Sequence, residues 1–273
     1  MKVKEIPVSL YNQLRLSYAT SSKLIRAKDT IPVIVSLASI PSRLSIVHLT
    51  VKSILNQEVL PNKIILWLHE DLKSTIPKQL AKLEGEIFSI KYSDYKSSHR
   101  KLVDTLQIFD DAIVVTCDDD MMYRKDWLPK LYQQHLENPR AIIGNQSRCI
   151  SYKDGQLLPY KSWPFGKDCK RPDALLPIGA GGTLYPIGAF SETMFDRELF
   201  LKLTPKADDL WFKAMGLLNG TKSIKASNTG KEPIPIWGSQ RVSLKKSNIT
   251  EDKNRTQWEA LTSHFDIKPE RFD

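Results

Sequence analysis

Between residues 32 and 117 the chain alternates short, β-branched apolar runs with stretches of helical periodicity, and this alternation limits the fold more than any other feature. PVIVSLAS, KIILWLH, FSIKYSD and AIVVTC read as buried strands. The first is followed by Ser42 to Gln57, where Leu44, Val47, Val51, Ile54 and Leu55 recur at the spacing of an amphipathic helix. PKQLAKLEGE and SSHRKLVDTLQIF supply helical segments before the third and fourth strands. Strands alternating with helices form βαβ units, so the fold class expected is α/β, a mixed but mainly parallel sheet flanked by helices. Ligands of such sheets sit at the carboxyl ends of the strands, which makes the residues just past each strand the candidates for chemistry.

The flanks are less regular. A lead-in, residues 1–30, scatters Leu10, Tyr11, Leu14, Leu16, Tyr18, Leu24 and Ile25 among basic residues. Two readings stand, a surface helix packed on the domain or a basic amphipathic segment lying on lipid. After residue 125, KDWLPKLYQQHLEN reads as a helix and AIIGNQ as a short strand, followed by an irregular stretch from Tyr152 to Pro186. TPKADDLWFKAMGLLNG is a well-marked helix, with Thr204 as N-cap, Pro205 in the first turn, Asp208 and Asp209 near its positive end and Gly220 closing it. EDKNRTQWEALTSHF is the last helical pattern.

Composition excludes some classes. Hydrophobic residues at 41% and charged ones at 26% of 273 residues match globular usage, not a disordered chain. The net charge of +9 admits nucleic acid, an anionic membrane face or a phosphorylated substrate as partner, without choosing. Cys117, Cys149 and Cys169 are odd in number and lack CxxC spacing, so reduced thiols are expected rather than a disulfide framework or a Cys-rich zinc site. The basic start has no continuous apolar run of a secretory signal, and IPVIVSLASI is too short to span a bilayer. HExxH and Ser-His-Asp patterns are missing, which argues against those hydrolases.

Three signals carry chemistry. Asp118, Asp119 and Asp120 follow the fourth strand directly, and crowded carboxylates at a strand's end repel one another unless a cation is near. If the extended backbone continues, Asp118 and Asp120 point to one side and suit Mg²⁺ or Mn²⁺; a solvated acidic turn is the alternative. Gly179, Gly181 and Gly182 form a second signal, a backbone that can approach a ligand closely or simply turn, with neither Walker nor GxGxxG spacing. Asp208 and Asp209 are the third, placed to take a proton or to complement a helix dipole. Tyr160, Trp163 and Trp211 offer flat faces for a ligand, or pack in the core.

In their order, SLASIPSR, HRKLVDTL, TCDDDMMY, GAGGTLYP and ADDLWF resemble the GT-A fold glycosyltransferases, most closely the family-2-like bacterial enzymes of surface polysaccharide synthesis, over roughly residues 31 to 220. The resemblance implies a GT-A, Rossmann-like domain whose residues 31–125 bind a nucleotide sugar, a UDP-sugar by expectation, and whose residues 126–273 bind the acceptor and catalyse. It implies Mn²⁺ or Mg²⁺ on Asp120, with Asp118 as second ligand or ribose contact and Asp119 beside it on the nucleotide side. Ser36, Ser39, Arg43 and Lys101 would line the nucleotide pocket. The second strand ends in LHED where the family has a VDDGS-like turn, so Asp94 becomes the alternative to Asp71 for the base contact. Gly181 and Gly182 would pass beneath the donor sugar, Asp209 or Asp208 would be the general base of an inverting transfer, and His264 a further metal ligand. A glycan or lipid-linked acceptor, a cytoplasmic location and peripheral attachment to an anionic inner membrane face complete the expectation. Sugar nucleotidyl transfer is the rival, although SLASIPSR lacks its Gly-rich basic signature. A nucleic-acid-binding domain has only the charge in its favour, and no nucleic acid partner is expected.

Overall fold

The computed structural model describes residues 5–169, 171–239 and 252–272. After α1 (Ile6–Tyr18) and α2 (Ser21–Ile25) come β1 (Thr30–Ala38), α3 (Val47–Leu55), β2 (Leu60–His69), α4 (Lys78–Ala81), β3 (Phe88–Ser93), α5 (Val103–Ile108) and β4 (Ile113–Thr116). The second half holds β5 (Met121–Met122), α6 (Trp127–Glu137), β6 (Ile142–Gly144), β7 (Ser147–Cys149), β8 (Tyr152–Lys153) and β9 (Gln156–Leu157). It continues with β10 (Leu175–Pro177), β11 (Thr183–Tyr185), α7 (Arg197–Leu203), α8 (Asp208–Leu218), β12 (Ser223–Lys225), β13 (Ile234–Pro235) and α9 (Lys253–His264).

Seven strands form one sheet in the order β12-β6-β11-β4-β1-β2-β3. β1 pairs in parallel with β2 and β4, β2 with β3, and β6 with β12, whereas β11 runs antiparallel to β4 and β6. The expected α/β architecture with a mainly parallel sheet is therefore present. Period-2 alternation sends Val33, Val35 and Leu37 to the face covered by α3, α4 and α6, and Ile34, Ile65 and Trp67 to the other. Val114 packs with the aromatic core of α7, α8 and α9, built on Phe200, Trp211, Phe212 and Trp258. Pro32 begins no strand: it lies where the β1–β2 register shifts between Ile31 and Ile34, a bulge position that tolerates the missing N–H.

Local boundaries differ from the periodicity in instructive ways. Ser42 to Gln57 is a 3₁₀ turn, Pro41–Arg43, followed by the shorter α3. Thr204 does not open α8; it closes α7, its hydroxyl donating to Phe200 O at 3.1 Å, and α8 begins at Asp208. Tyr160, Trp163 and Trp211 are buried, so they pack the core and present no open face to a sugar. No helix among the described residues is long and apolar enough to cross a membrane.

The cysteines also depart from expectation: Cys149 and Cys169 form a disulfide, with Cα atoms 5.3 Å apart, and Cys117 is the buried free thiol. The loop after β7 folds back on it, Cys149 N donating to Pro164 O at 2.8 Å, so sequence distance does not keep the thiols apart. Unfolded without reductant, the protein should titrate a single thiol with a chromogenic disulfide reagent; three reactive thiols would show that the bridge does not form. Cys149→Ser should lower the unfolding free energy by about 2–4 kcal/mol in denaturant titrations.

Candidate active site

Loops at the carboxyl ends of β1, β3 and β4 meet the start of α8 and the turn before β11. The β1 loop is tied down first. Arg100, buried in the 3₁₀ turn Ser98–Lys101, donates to Ser39 O at 2.7 Å and to Tyr95 O at 3.0 Å, joining the loops after β1 and β3. Ser39 and Arg43 then reach across to the acidic turn: Ser39 Oγ donates to Asp119 Oδ2 at 2.5 Å, and Arg43 contacts Asp119 at 2.5 Å and Asp120 at 3.0 Å. Thr50 Oγ1 donates to Asp119 O at 2.8 Å. Extended backbone does not persist past Cys117; a turn at Asp119 and Asp120 directs Asp119 inward as the anchor of the loop. Arg43 is thus neither a plain surface residue nor an open phosphate ligand, because two carboxylates hold it.

Lys101 occupies the other side. Its ammonium, 5% exposed, lies 2.9 Å from Asp208 Oδ2 and 3.3 Å from Asp118 Oδ1. Asp208 Oδ1 also accepts from Ser98 Oγ at 2.8 Å. Asp209 accepts from Gly179 N through both oxygens at 3.2 Å. A Cβ on Gly179 would lie 3.1 Å from Asp209 Oδ1, 3.1 Å from Lys101 Nζ and 3.4 Å from Asp118 Oδ1, so only glycine lets the backbone pass this cluster without displacing it.

Electrostatics separates the acids. Burial works against the charge on Lys101, but Asp208, Asp118 and Asp209 outweigh it and hold the ammonium well above its usual value. Burial likewise opposes ionisation of Asp208, yet Lys101 keeps that carboxyl below the ordinary range. Asp209 has no such cation in contact; burial and the charge of Asp208 push it up to about 7. Asp120 is pushed up to about 7 as well, by burial and the charge of Asp118 against the pull of Arg43. Asp119 is raised by burial, with Arg43 and Ser39 opposing. One carboxyl fixed as an anion beside one poised near neutrality is the pattern of divided acid–base roles.

Among the described residues no group of three or more His, Cys, Asp or Glu side chains is arranged to hold a metal ion. Asp118 and Asp120, the expected ligands of a divalent cation, are each paired here with a cation of the chain, Lys101 at 3.3 Å and Arg43 at 3.0 Å. Asp118 is 36% exposed at the side chain, and Asp120 is raised by burial first and by the charge of Asp118 second. His264 is elsewhere in kind: exposed at the end of α9, edge-on to Phe265 at 4.7 Å.

Other expected site residues are not gathered here. Ser36 is closed inside the sheet, hydrogen-bonded to Thr105 Oγ1 at 2.9 Å, where a nucleotide has no access. Asp94 is exposed and paired with Arg197 at 2.9 Å, on the rim of a cavity of about 400 Å³ beside β3; Asp71 pairs with Lys96 at 2.9 Å. Gly181 and Gly182 serve close packing: added Cβ atoms would come within 2.6 Å of Gln146 and of the Trp127 ring, and Gly182 has φ +93°. Trp127 Nε1 donates to Gly181 O at 2.8 Å and Tyr123 Oη to Ala180 O at 3.1 Å, fixing the run from behind. Gly179 is the member of the glycine run that borders the acids, and Ser98, which holds Asp208, is the position the sequence did not single out. The HRK run was visible, but its burial depends on a 3₁₀ turn.

No family model matches the chain, and no curated protein does. Among solved structures, it is similar to 4-diphosphocytidyl-2C-methyl-D-erythritol synthase from Anaerococcus prevotii DSM 20548 at 13% identity, covering 86% of this chain and 98% of that one with a TM-score of 0.44. It is also similar to CMP:2-keto-3-deoxy-manno-octonic acid synthetase complexed with CTP, at 12% identity, 76% and 94% coverage and a TM-score of 0.39. Both likenesses are distant.

The raised carboxyl of Asp209 has a consequence for stability. A group whose folded pKa lies above its unfolded value, about 3.9 for Asp, favours the folded state below that value and loses the contribution as pH rises through the folded one. In chelator, the thermal midpoint should therefore fall between about pH 4 and about pH 7, and Asp209→Asn should remove part of that fall. An unchanged slope in the variant would show that another group titrates.

Proposed function

We propose that this chain is a nucleotide-dependent transferase, and that its reaction is glycosyl transfer from a nucleotide sugar to a hydroxyl of a glycan or lipid-linked acceptor. The observation that carries the reading is Asp209, a half-buried carboxyl at the start of α8 with its pKa near 7, facing the acidic turn across Lys101 and Gly179. Attack of a hydroxyl on the sugar's anomeric carbon needs a base for the hydroxyl proton, and a base works best when its pKa is near the working pH. Asp208, fixed as an anion by Lys101, holds that cation in place and so positions Asp209's surroundings. Asp118 and Asp120 are the residues that would hold Mn²⁺ or Mg²⁺, which when bound supplies Lewis-acid stabilisation of the departing diphosphate. Inversion at the anomeric carbon follows from a single displacement served by one base.

Sugar nucleotidyl transfer is the second reading. Lys101, which stands among the acids at the strand ends, is a cation suited to a nucleoside triphosphate as well. The distant structure described with CTP makes that donor class the natural comparison. Where the attacking group is the oxygen of a sugar phosphate it is already anionic and asks for no base, so Asp209 favours glycosyl transfer over that form of the reaction.

One experiment addresses both. With Mn²⁺ or Mg²⁺, the protein should release nucleoside diphosphate from a UDP-sugar panel, lose that activity in EDTA, and release no pyrophosphate from nucleoside triphosphate plus sugar phosphate. Asp209→Asn should keep donor affinity by calorimetry and lose turnover by about 10²–10⁴. Asp120→Asn should weaken donor binding and turnover together. Pyrophosphate release from the triphosphate arm would replace the first reading with the second, and a loss below tenfold in Asp209→Asn would remove the base assignment.

A further inference from the structure

The lead-in helix α1 wears its apolar side outward. Its inner side consists of Ser9 and Leu16, both buried. Ser9 Oγ donates to Pro235 O at 2.7 Å and accepts from Trp237 N at 3.0 Å, while Lys52 of α3 donates to Leu16 O at 2.9 Å. Those contacts fix which way the helix faces. On the opposite side Val8, Leu10, Tyr11, Leu14 and Tyr18 recur at i+3 and i+4 spacing and are exposed, Leu14 at 60%, Tyr11 at 67% and Tyr18 at 85%. Trp237, held beside Ser9, is 51% exposed. Two residues buried and five large side chains open is the reverse of an ordinary surface helix, and with Trp237 beside them such a contiguous patch marks an interaction surface.

The stripe runs into a cationic hollow. Arg15 and Tyr18 of α1 help line a cavity of about 650 Å³ together with Lys23, Lys28 and Lys125, and Glu58 is the one acidic residue in its wall. None of these four cations forms a salt bridge with a carboxylate of the described residues. Lys28 is held below its ordinary value by burial and by the charge of Lys125, a repulsion that an anion would relieve.

We propose that the outward face of α1, with Trp237 beside it and the cationic hollow at its C-terminal end, docks the protein on an anionic lipid leaflet. Tyr and Trp side chains favour the headgroup level, where an apolar body and a polar tip are both satisfied, and basic residues next to them meet anionic headgroups. A second copy is a poor occupant, since a two-fold contact would set the four cations near their own images. Nucleic acid would leave the apolar stripe uncovered. The inference goes beyond the transfer reaction and holds whether or not Asp209 is a base.

Flotation of the full chain with vesicles of phosphatidylcholine, alone or mixed with phosphatidylglycerol, tests it. The protein should float with the mixed vesicles, release as salt rises, and remain behind with the neutral ones. Leu14→Asp and the double variant Lys23→Gln/Lys125→Gln, all at exposed positions, should each retain the wild-type thermal midpoint. The double variant should bind at least about tenfold more weakly, at about fivefold per cation. Leu14→Asp should lose binding despite the intact cations. Absent binding, equal binding to both vesicle types, or wild-type binding by Leu14→Asp would overturn the proposal. So would a dimer seen by light scattering that Leu14→Asp dissociates, or tighter capture of an oligonucleotide than of the mixed vesicles.

Discussion

One buried ammonium organises the carboxyl ends of the sheet. Lys101 stands between Asp118, which follows β4, and Asp208, which opens α8, so it joins the parallel half of the fold to the later helices by charge. Removing one partner of such a buried pair leaves an uncompensated ion and costs about 3–5 kcal/mol, far more than an exposed pair is worth. Arg43 does the same for Asp119 and Asp120 from the β1 side. Yet these two cations face five carboxylates, Asp118, Asp119, Asp120, Asp208 and Asp209, and burial, with the charge of a neighbouring carboxylate added to it, raises the pKa values of Asp120 and Asp209. One carboxyl that keeps its proton near neutrality lowers the repulsion within such a group.

The sheet was legible in the sequence because β-branched runs and helical spacing are local signals, and the acidic turn because three adjacent carboxylates have few structural uses. What escaped was long-range. Ser36 and Ser39 look alike in SLASIPSR, but alternation along β1 turns Ser36 toward Thr105 inside the core, and the loop carries Ser39 to Asp119. Gly179, Gly181 and Gly182 share one run, and only the packing of Trp127 and Gln146 distinguishes the two that fit against protein from the one that borders Asp209. Thr204 and Pro205 carry an N-terminal helix signature, but α7 ends there and takes the threonine as its own closing residue. The cysteine pair was invisible because a fold-back of the loop after β7, with no periodicity of its own, brings its members together.

The lead-in shows a different limit. Its apolar residues were visible one by one, and both a packed helix and a lipid-facing segment were consistent with them. Burial divides them: Leu16 and Leu24 go inward, and Leu10, Tyr11, Leu14 and Tyr18 stay out. A weak amphipathic pattern is what results when one helix has an apolar residue on each side, because opposing contributions cancel over a turn.

These two regions are mechanically continuous. Ser9 on the inner side of α1 holds the backbone on both sides of Ile236, at Pro235 O and Trp237 N. β13 in turn pairs with β5, Pro235 opposite Met121 and Ile234 opposite Met122, and Ile236 N donates to Asp120 O at 2.9 Å. The acidic turn is therefore gripped from both sides, by Ser39, Arg43 and Thr50 at Asp119 and by the β13 segment at Asp120. A buried turn with three carboxylates has every electrostatic reason to open, and backbone bonds from elements that are distant in sequence hold it closed without adding a charge. α1 thus has two faces with separate work: the inner one secures the strand that steadies Asp120, which leaves the outer one free to carry apolar side chains that the fold itself does not need.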